Sequence, residues 1–163
     1  MTPIDHLVAY LNDPPERTPG YEALRIVAYY LAQKASRDVA LEEMLNIVKA
    51  HGVFTKLAES AQKKTKPTAG PFTGGKDSSM AKRWEHAFVL LDGKLSHDER
   101  AAQNLFLYMR EEQQDKEFLG KRWSPRLRLC ASPRCDNFVY DKSVNRSLKT
   151  CSNACQMAHL RAK

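Results

Sequence analysis

The sequence predicts a mainly α protein: a helical N-terminal domain over residues 1–120, then a small treble-clef-like zinc module, short β-hairpins plus a helix, over 124–163. Three observations carry this. Apolar residues recur at i, i+3, i+4, i+7 over most of the first 120 residues. All four cysteines of the chain, Cys130, Cys135, Cys151 and Cys155, fall in its last part. The charge changes character at the same place. Residues 1–64 hold eight basic and eight acidic side chains and residues 65–120 eight and nine, whereas residues 121–163 hold ten basic against two acidic, a net of +8.

The helices follow in order. Ile4, Leu7, Val8 and Leu11 form the first stripe, with Thr2 and Pro3 as cap and first-turn residue. Leu24, Val27, Ala28 and Leu31 repeat it after Thr18-Pro19, and Leu41, Met44, Leu45 and Val48 repeat it again up to Gly52, a helix-stopping residue. A shorter stripe holds Phe54, Leu57, Ala58 and Ala61. From Thr65 to Ser79 prolines and glycines replace the pattern, which marks a linker. Its glycines do not have the G-x4-G-K-[ST] spacing that cradles phosphate. Helicity resumes at Ser78 with Trp84, Ala87, Phe88 and Leu91. Ser96 with Glu99 reads as a capping box for a helix with Ala102, Leu105, Phe106 and Met109 inward. Its end, Glu111 to Glu117, is mostly charged and is expected to face solvent, with Gly120 closing it. One-sided stripes of this kind must pack on one another.

The cysteines are spaced C-x4-C, fifteen residues, C-x3-C, which is two ligand pairs rather than scattered thiols. Zinc takes a tetrahedron of soft ligands, and a module too short to bury a core of its own gains its fold from the metal, for about 10–16 kcal/mol. A structural Zn2+ held by Cys130, Cys135, Cys151 and Cys155 is therefore expected. Leu127 and Leu129 alternate with arginines as a strand leading into the knuckle 130–135, and Phe138 and Tyr140 form the return strand. Ser152 is placed to cap a helix over 153–162, with Cys155 in its first turn. His159 lies four residues after Cys155 and could in principle ligate. With four thiolates present, a packing or surface role is expected for it.

The run from Cys130 to Ser152 (C-ASPR-C-DNFVY-D-K-S-V-N-R-S-LKT-C-S) resembles the CGNR zinc finger of bacterial transcription regulators, at Cys130, Cys135, Asp141, Ser143, Asn145, Ser147, Cys151 and Ser152. The second pair here is one residue closer than in that family. Gln156, Met157 and Ala158 stand where the family has Gly-Asn-Arg. The resemblance implies a zinc-dependent DNA-binding regulator.

Concentrated positive charge also points to a polyanion. Arg128, Arg134, Arg146, Lys149, Arg161 and Lys163 are the candidate phosphate contacts, while no helix carries an array that would read bases. The partner expected is nucleic acid, DNA first. The alternative is a non-catalytic RNA- or protein-interaction module. A homodimer and a small-molecule effector are open roles for the helical part. Treble-clef nucleases need a histidine between their zinc ligands, and none lies between Cys130 and Cys155. No Ser/His/Asp or Cys/His set can be assembled, so no enzyme is expected. Asp141, Ser143 and Asn145 read as turn formers. No stretch reaches the roughly eighteen apolar residues of a membrane span, and the N-terminus lacks the basic-then-apolar form of a signal peptide, which points to the cytoplasm.

Overall fold

A computed structural model describes residues 2–62 and 80–163. Over these residues the chain is mostly helical, with a small antiparallel sheet near its C-terminus. The expected linker over 65–79 and the helix start at Ser78 lie outside the described residues.

Six helices come first: α1 (Pro3–Asn12), α2 (Pro19–Ala32), α3 (Arg37–His51), α4 (Thr55–Gln62), α5 (Met80–Leu90) and α6 (His97–Leu119). Their starts obey local chemistry. Thr2 and Asp5 form a capping box on α1, Thr18 accepts from the Tyr21 N–H at the start of α2, and Ser96 and Glu99 form a second box on α6. Gly52 ends α3 with φ 64°, a left-handed turn that costs glycine little. Gly20 matters for a different reason. A Cβ there would lie 2.9 Å from Asp98 Oδ2 and 3.2 Å from the Phe54 ring, so α2 approaches the start of α6 closely only because position 20 has no side chain.

The helices pack in pairs, α1 on α6, α2 on α3 and α4 on α5, with α2 also against α6. Leu7, Leu11, Leu24, Val27, Leu41, Met44, Leu57, Trp84, Leu105 and Tyr108 are fully buried between them. After a 3-10 turn at Gly120–Arg122, strands β1 (Leu127–Leu129) and β2 (Phe138–Tyr140) pair antiparallel, Leu127 opposite Tyr140 and Leu129 opposite Phe138. Helix α7 (Asn153–Arg161) ends the chain.

The hairpin is not an appendage. Leu127 and Phe138 are buried in the same hydrophobic core as the helices, with β1 against α2 and β2 against α1. Asn12, the last residue of α1, grips the backbone of Phe138 from both sides: its Nδ2 donates to the Phe138 carbonyl at 2.9 Å and its Oδ1 accepts from the Phe138 N–H at 2.7 Å. Arg25 of α2 lies 5.0 Å over the Phe138 ring and pairs with Asp136 at 3.5 Å. Tyr108 Oη of α6 accepts from the Leu127 N–H at 3.1 Å. A hairpin too short for a core of its own thus borrows one.

Candidate metal centre

The first ligand pair sits where β1 turns into β2. Cys130 leaves β1 with its N–H bonded to the Asn137 carbonyl at 2.9 Å, and the Cys135 N–H closes a turn on the Ser132 carbonyl at 3.2 Å. Pro133 and the tight turn bring two sulfurs to one side of the knuckle. The second pair comes from the end of a loop and the first turn of α7. The Ala131 N–H donates to the Lys149 carbonyl at 2.8 Å, which lays the approach to Cys151 beside the knuckle. Ser152 caps α7 by accepting from the Cys155 N–H at 3.2 Å, and that places Cys155 over the other three.

All four Sγ atoms lie within 4.8 Å of one another, and Cys151 stands 3.6 Å from both Cys135 and Cys155. A tetrahedron with Zn–S bonds of about 2.3 Å has its sulfurs about 3.8 Å apart. The cluster therefore fits one structural zinc ion, and none of the four cysteines is in a disulfide. Donors from the surrounding chain already point at sulfur. The Cys151 N–H lies 3.4 Å from Cys130 Sγ and Asn137 Nδ2 3.8 Å from Cys151 Sγ, bonds that favour thiolate and orient it. Left to protons alone, the thiols separate. Bonding to Ser152 lowers Cys155 to about 7; a backbone bond from Asn137 pulls Cys135 down, but burial and its three thiol neighbours together push it up to about 12. A divalent cation removes that conflict by letting all four ionise.

Where the loop 141–148 meets α6 lies a buried polar cluster that the sequence reading missed. Glu112 of α6, buried, accepts from Trp123 Nε1 at 2.6 Å and from the Arg126 N–H at 3.2 Å, and pairs with Arg146 at 3.4 Å. Arg146 also pairs with Asp115 at 2.7 Å and donates to the Ser124 carbonyl. The expectation that Glu111 to Glu117 simply faces solvent fails at Glu112. It sits seven residues after Leu105 and four after Tyr108, on the inward stripe, and that register was the available signal. Burial pushes its carboxyl up from the ordinary value, against the pull of Trp123, Arg126 and Arg146.

The six arginines and lysines expected to contact phosphate divide. Arg146 is a correction: it is 6% exposed and its guanidinium is spent on Glu112 and Asp115, because a buried carboxylate needs a cation more than the surface does. Arg128 is also turned inward, donating to the carbonyls of Pro125 and Arg146 and to Ser124 Oγ. Arg134, Lys149, Arg161 and Lys163 are exposed. Arg126, not among the six, donates to the Asp141 and Ser143 carbonyls at 2.7 and 2.9 Å. Asp141 behaves as a turn former, accepting from the N–H groups of Ser143 and Leu148.

Knuckle, hairpin, loop and capped helix converge on one tetrahedral thiolate set. Residues 126–163 match the CGNR zinc finger. The match covers the C-terminal module alone, and neither the curated proteins nor the solved structures yield a match to the chain. Within the matched segment Asp141, Ser143 and Asn145 build the loop between the ligand pairs: Ser143 Oγ accepts from the Ser147 N–H and Asn145 Oδ1 from Ser147 Oγ. No helix of the described residues is long and apolar enough to cross a membrane.

Proposed function

We propose that the chain is a zinc-dependent DNA-binding protein that acts in transcription regulation, with the CGNR module as its DNA contact. The observation that carries this is the set of cations the fold leaves unused. Lys121, Arg122, Arg134, Lys149, Arg161 and Lys163 are exposed and have no ion-pair partner among the described residues. The module's two carboxylates are both engaged, Asp141 buried and Asp136 beside Arg25. A surface whose free charges all have one sign attracts phosphate, and a four-thiolate site has no open position for catalysis, which supports a binding role without a reaction. Reduced thiols suit a cytoplasmic setting.

The test is titration of the zinc-loaded full chain against a mixed-sequence duplex at two salt concentrations. Six phosphate contacts predict a loss of about a thousandfold in affinity between 50 and 200 mM salt. Arg161→Gln with Lys149→Gln is expected to flatten the log–log slope by about 1.8. Binding that is absent or indifferent to salt removes the proposal. For the helical part, an effector would find an open cavity of about 360 Å³ where α2, α4 and α6 begin, lined by Thr18, Gly20, Phe54, Lys56 and Asp98. A homodimer would use the exposed Ile26, Tyr29 and Tyr30 of α2, which sedimentation of the Tyr29→Asp variant tests.

A further inference from the structure

The loop between β2 and the second ligand pair exposes two apolar side chains, Leu148 at 43% and, far more fully, Val144. Val144 is 99% exposed, yet the backbone around it is tied down on every side. The fully buried Asp141 carboxylate accepts from the Ser143 N–H at 2.8 Å and the Leu148 N–H at 2.9 Å, so one group holds both ends of the turn. Ser143 Oγ accepts from the Ser147 N–H at 3.1 Å. From strand β1 and the residue before it, Arg126 donates to the Ser143 carbonyl at 2.9 Å and Arg128 to the Arg146 carbonyl at 2.6 Å. Arg146, at φ 52°, sends its guanidinium down to Glu112 and Asp115. Asp141, Ser143 and Arg146 thus anchor the turn, and Val144 is held out from it.

A valine there contributes nothing to the core. Its setting matters. Lys149, on the far side of the loop, is exposed with no ion-pair partner among the described residues, whereas Lys142 is held by Asp5 at 2.7 Å; within the module Asp136 is the one exposed side-chain carboxylate. A rigidly mounted apolar side chain among cations is what nucleic-acid-binding proteins use to wedge against bases while phosphates are held around it. A lipid surface also attracts cations with apolar residues, but an interfacial helix keeps its apolar and basic faces apart. In α7, Met157, Leu160 and Arg161 fall on one side at helical spacing, opposite Cys155 and His159.

Resting on the DNA-binding reading above, we propose that Val144 is an apolar contact residue that packs as a wedge against the bases of bound duplex. The experiment uses the zinc-loaded full chain, wild type, Val144→Asn, Val144→Leu and Lys149→Gln, titrated by anisotropy against one mixed-sequence duplex at two salt concentrations. Val144→Asn is expected to weaken binding about tenfold at both, the scale of burying one branched side chain, with the salt slope unchanged. Val144→Leu is expected to bind within about twofold of wild type. Lys149→Gln should flatten the slope by about 0.9. Zinc content and Tm should match wild type in both Val144 variants, since the side chain is outside the core.

If Val144→Asn binds like wild type while Lys149→Gln weakens, the wedge is wrong and the phosphate reading stands. A changed Tm or a changed slope in Val144→Asn also overturns the wedge, because the role is then structural or electrostatic. Wild-type chain that shows no salt-dependent duplex binding removes the reading and the wedge with it. Loss of binding to phosphatidylserine vesicles in Val144→Asn, with duplex affinity intact, assigns the side chain to lipid instead and overturns the proposal.

Discussion

Arg146 and Arg161 carry the same charge in the same module, and the fold uses them for opposite purposes. Arg146 neutralises Glu112 and Asp115 of α6, while Arg161 faces solvent at the end of α7. Arg146→Ala is expected to cost about 3–5 kcal/mol, because Glu112 is then left buried with no cation, and Arg161→Ala is expected to leave the melting curve unchanged. Denaturant melts of the two variants side by side check this. Asp141 gives a prediction in pH. Burial opposes its ionisation, but bonds from Ser143 and Leu148 and the nearby Arg128 charge hold its carboxyl below the ordinary value of 3.8. A depressed folded value means stability that is present above 3.8 and is lost as pH falls through the folded value. Asp141→Asn should therefore be less stable than wild type at neutral pH, with the gap closing on acidification below about pH 4, as read from urea melts. At this scale the sequence was legible for the ligands and illegible for the arginines. Cysteine spacing announces its own chemistry, whereas a count of basic residues gives all ten the same weight. Only the inward register of Glu112 with Leu105 and Tyr108 could have shown that some of those cations are needed inside.

Helix α7 shows how much an element can depend on one atom. None of its residues is buried, and nine residues are too few to hold a helix alone in water. What fixes it is the Ser152 cap and Cys155 at the metal. Removing zinc with a chelator is expected to melt α7 and loosen the ligand loop while α2, α3 and α6 keep their helicity, a small fractional loss in far-UV circular dichroism. Ser152→Ala is expected to weaken the same element by about 1 kcal/mol and lower zinc affinity accordingly. Here the sequence was most readable. Thr2, Thr18, Ser96 and Ser152 all sit as N-caps where their side chains and neighbours placed them, and Gly52 ends α3 in the left-handed conformation expected of it. Caps and stripes are local, so local reading finds them.

For the whole molecule, the shared core decides how it comes apart. Leu127 and Phe138 belong to the hairpin by sequence and to the helices by burial. Phe138→Ala is expected to cost about 3–5 kcal/mol and to lower the single melting transition of the whole chain. A melt with a separate, early transition for the module would show that the docking is weaker than its contacts imply. Nothing local in the sequence revealed this. A two-residue alternation gives a strand, but which distant surface covers it depends on Asn12, Arg25 and Tyr108, each unremarkable in its own stretch.

The grip of Asn12 on Phe138 spans 126 positions, and that separation has a consequence for how the protein is made. Translation runs from one end, so α1 leaves the ribosome long before the strand that completes its seat. Until then Leu11 and its neighbours have one side uncovered, and the nascent chain waits with its first helix docked on an incomplete surface. A stop codon just after Gly120 would leave that surface open for good, so such a product should be recovered in aggregates or cleared by proteases rather than as a soluble helical domain.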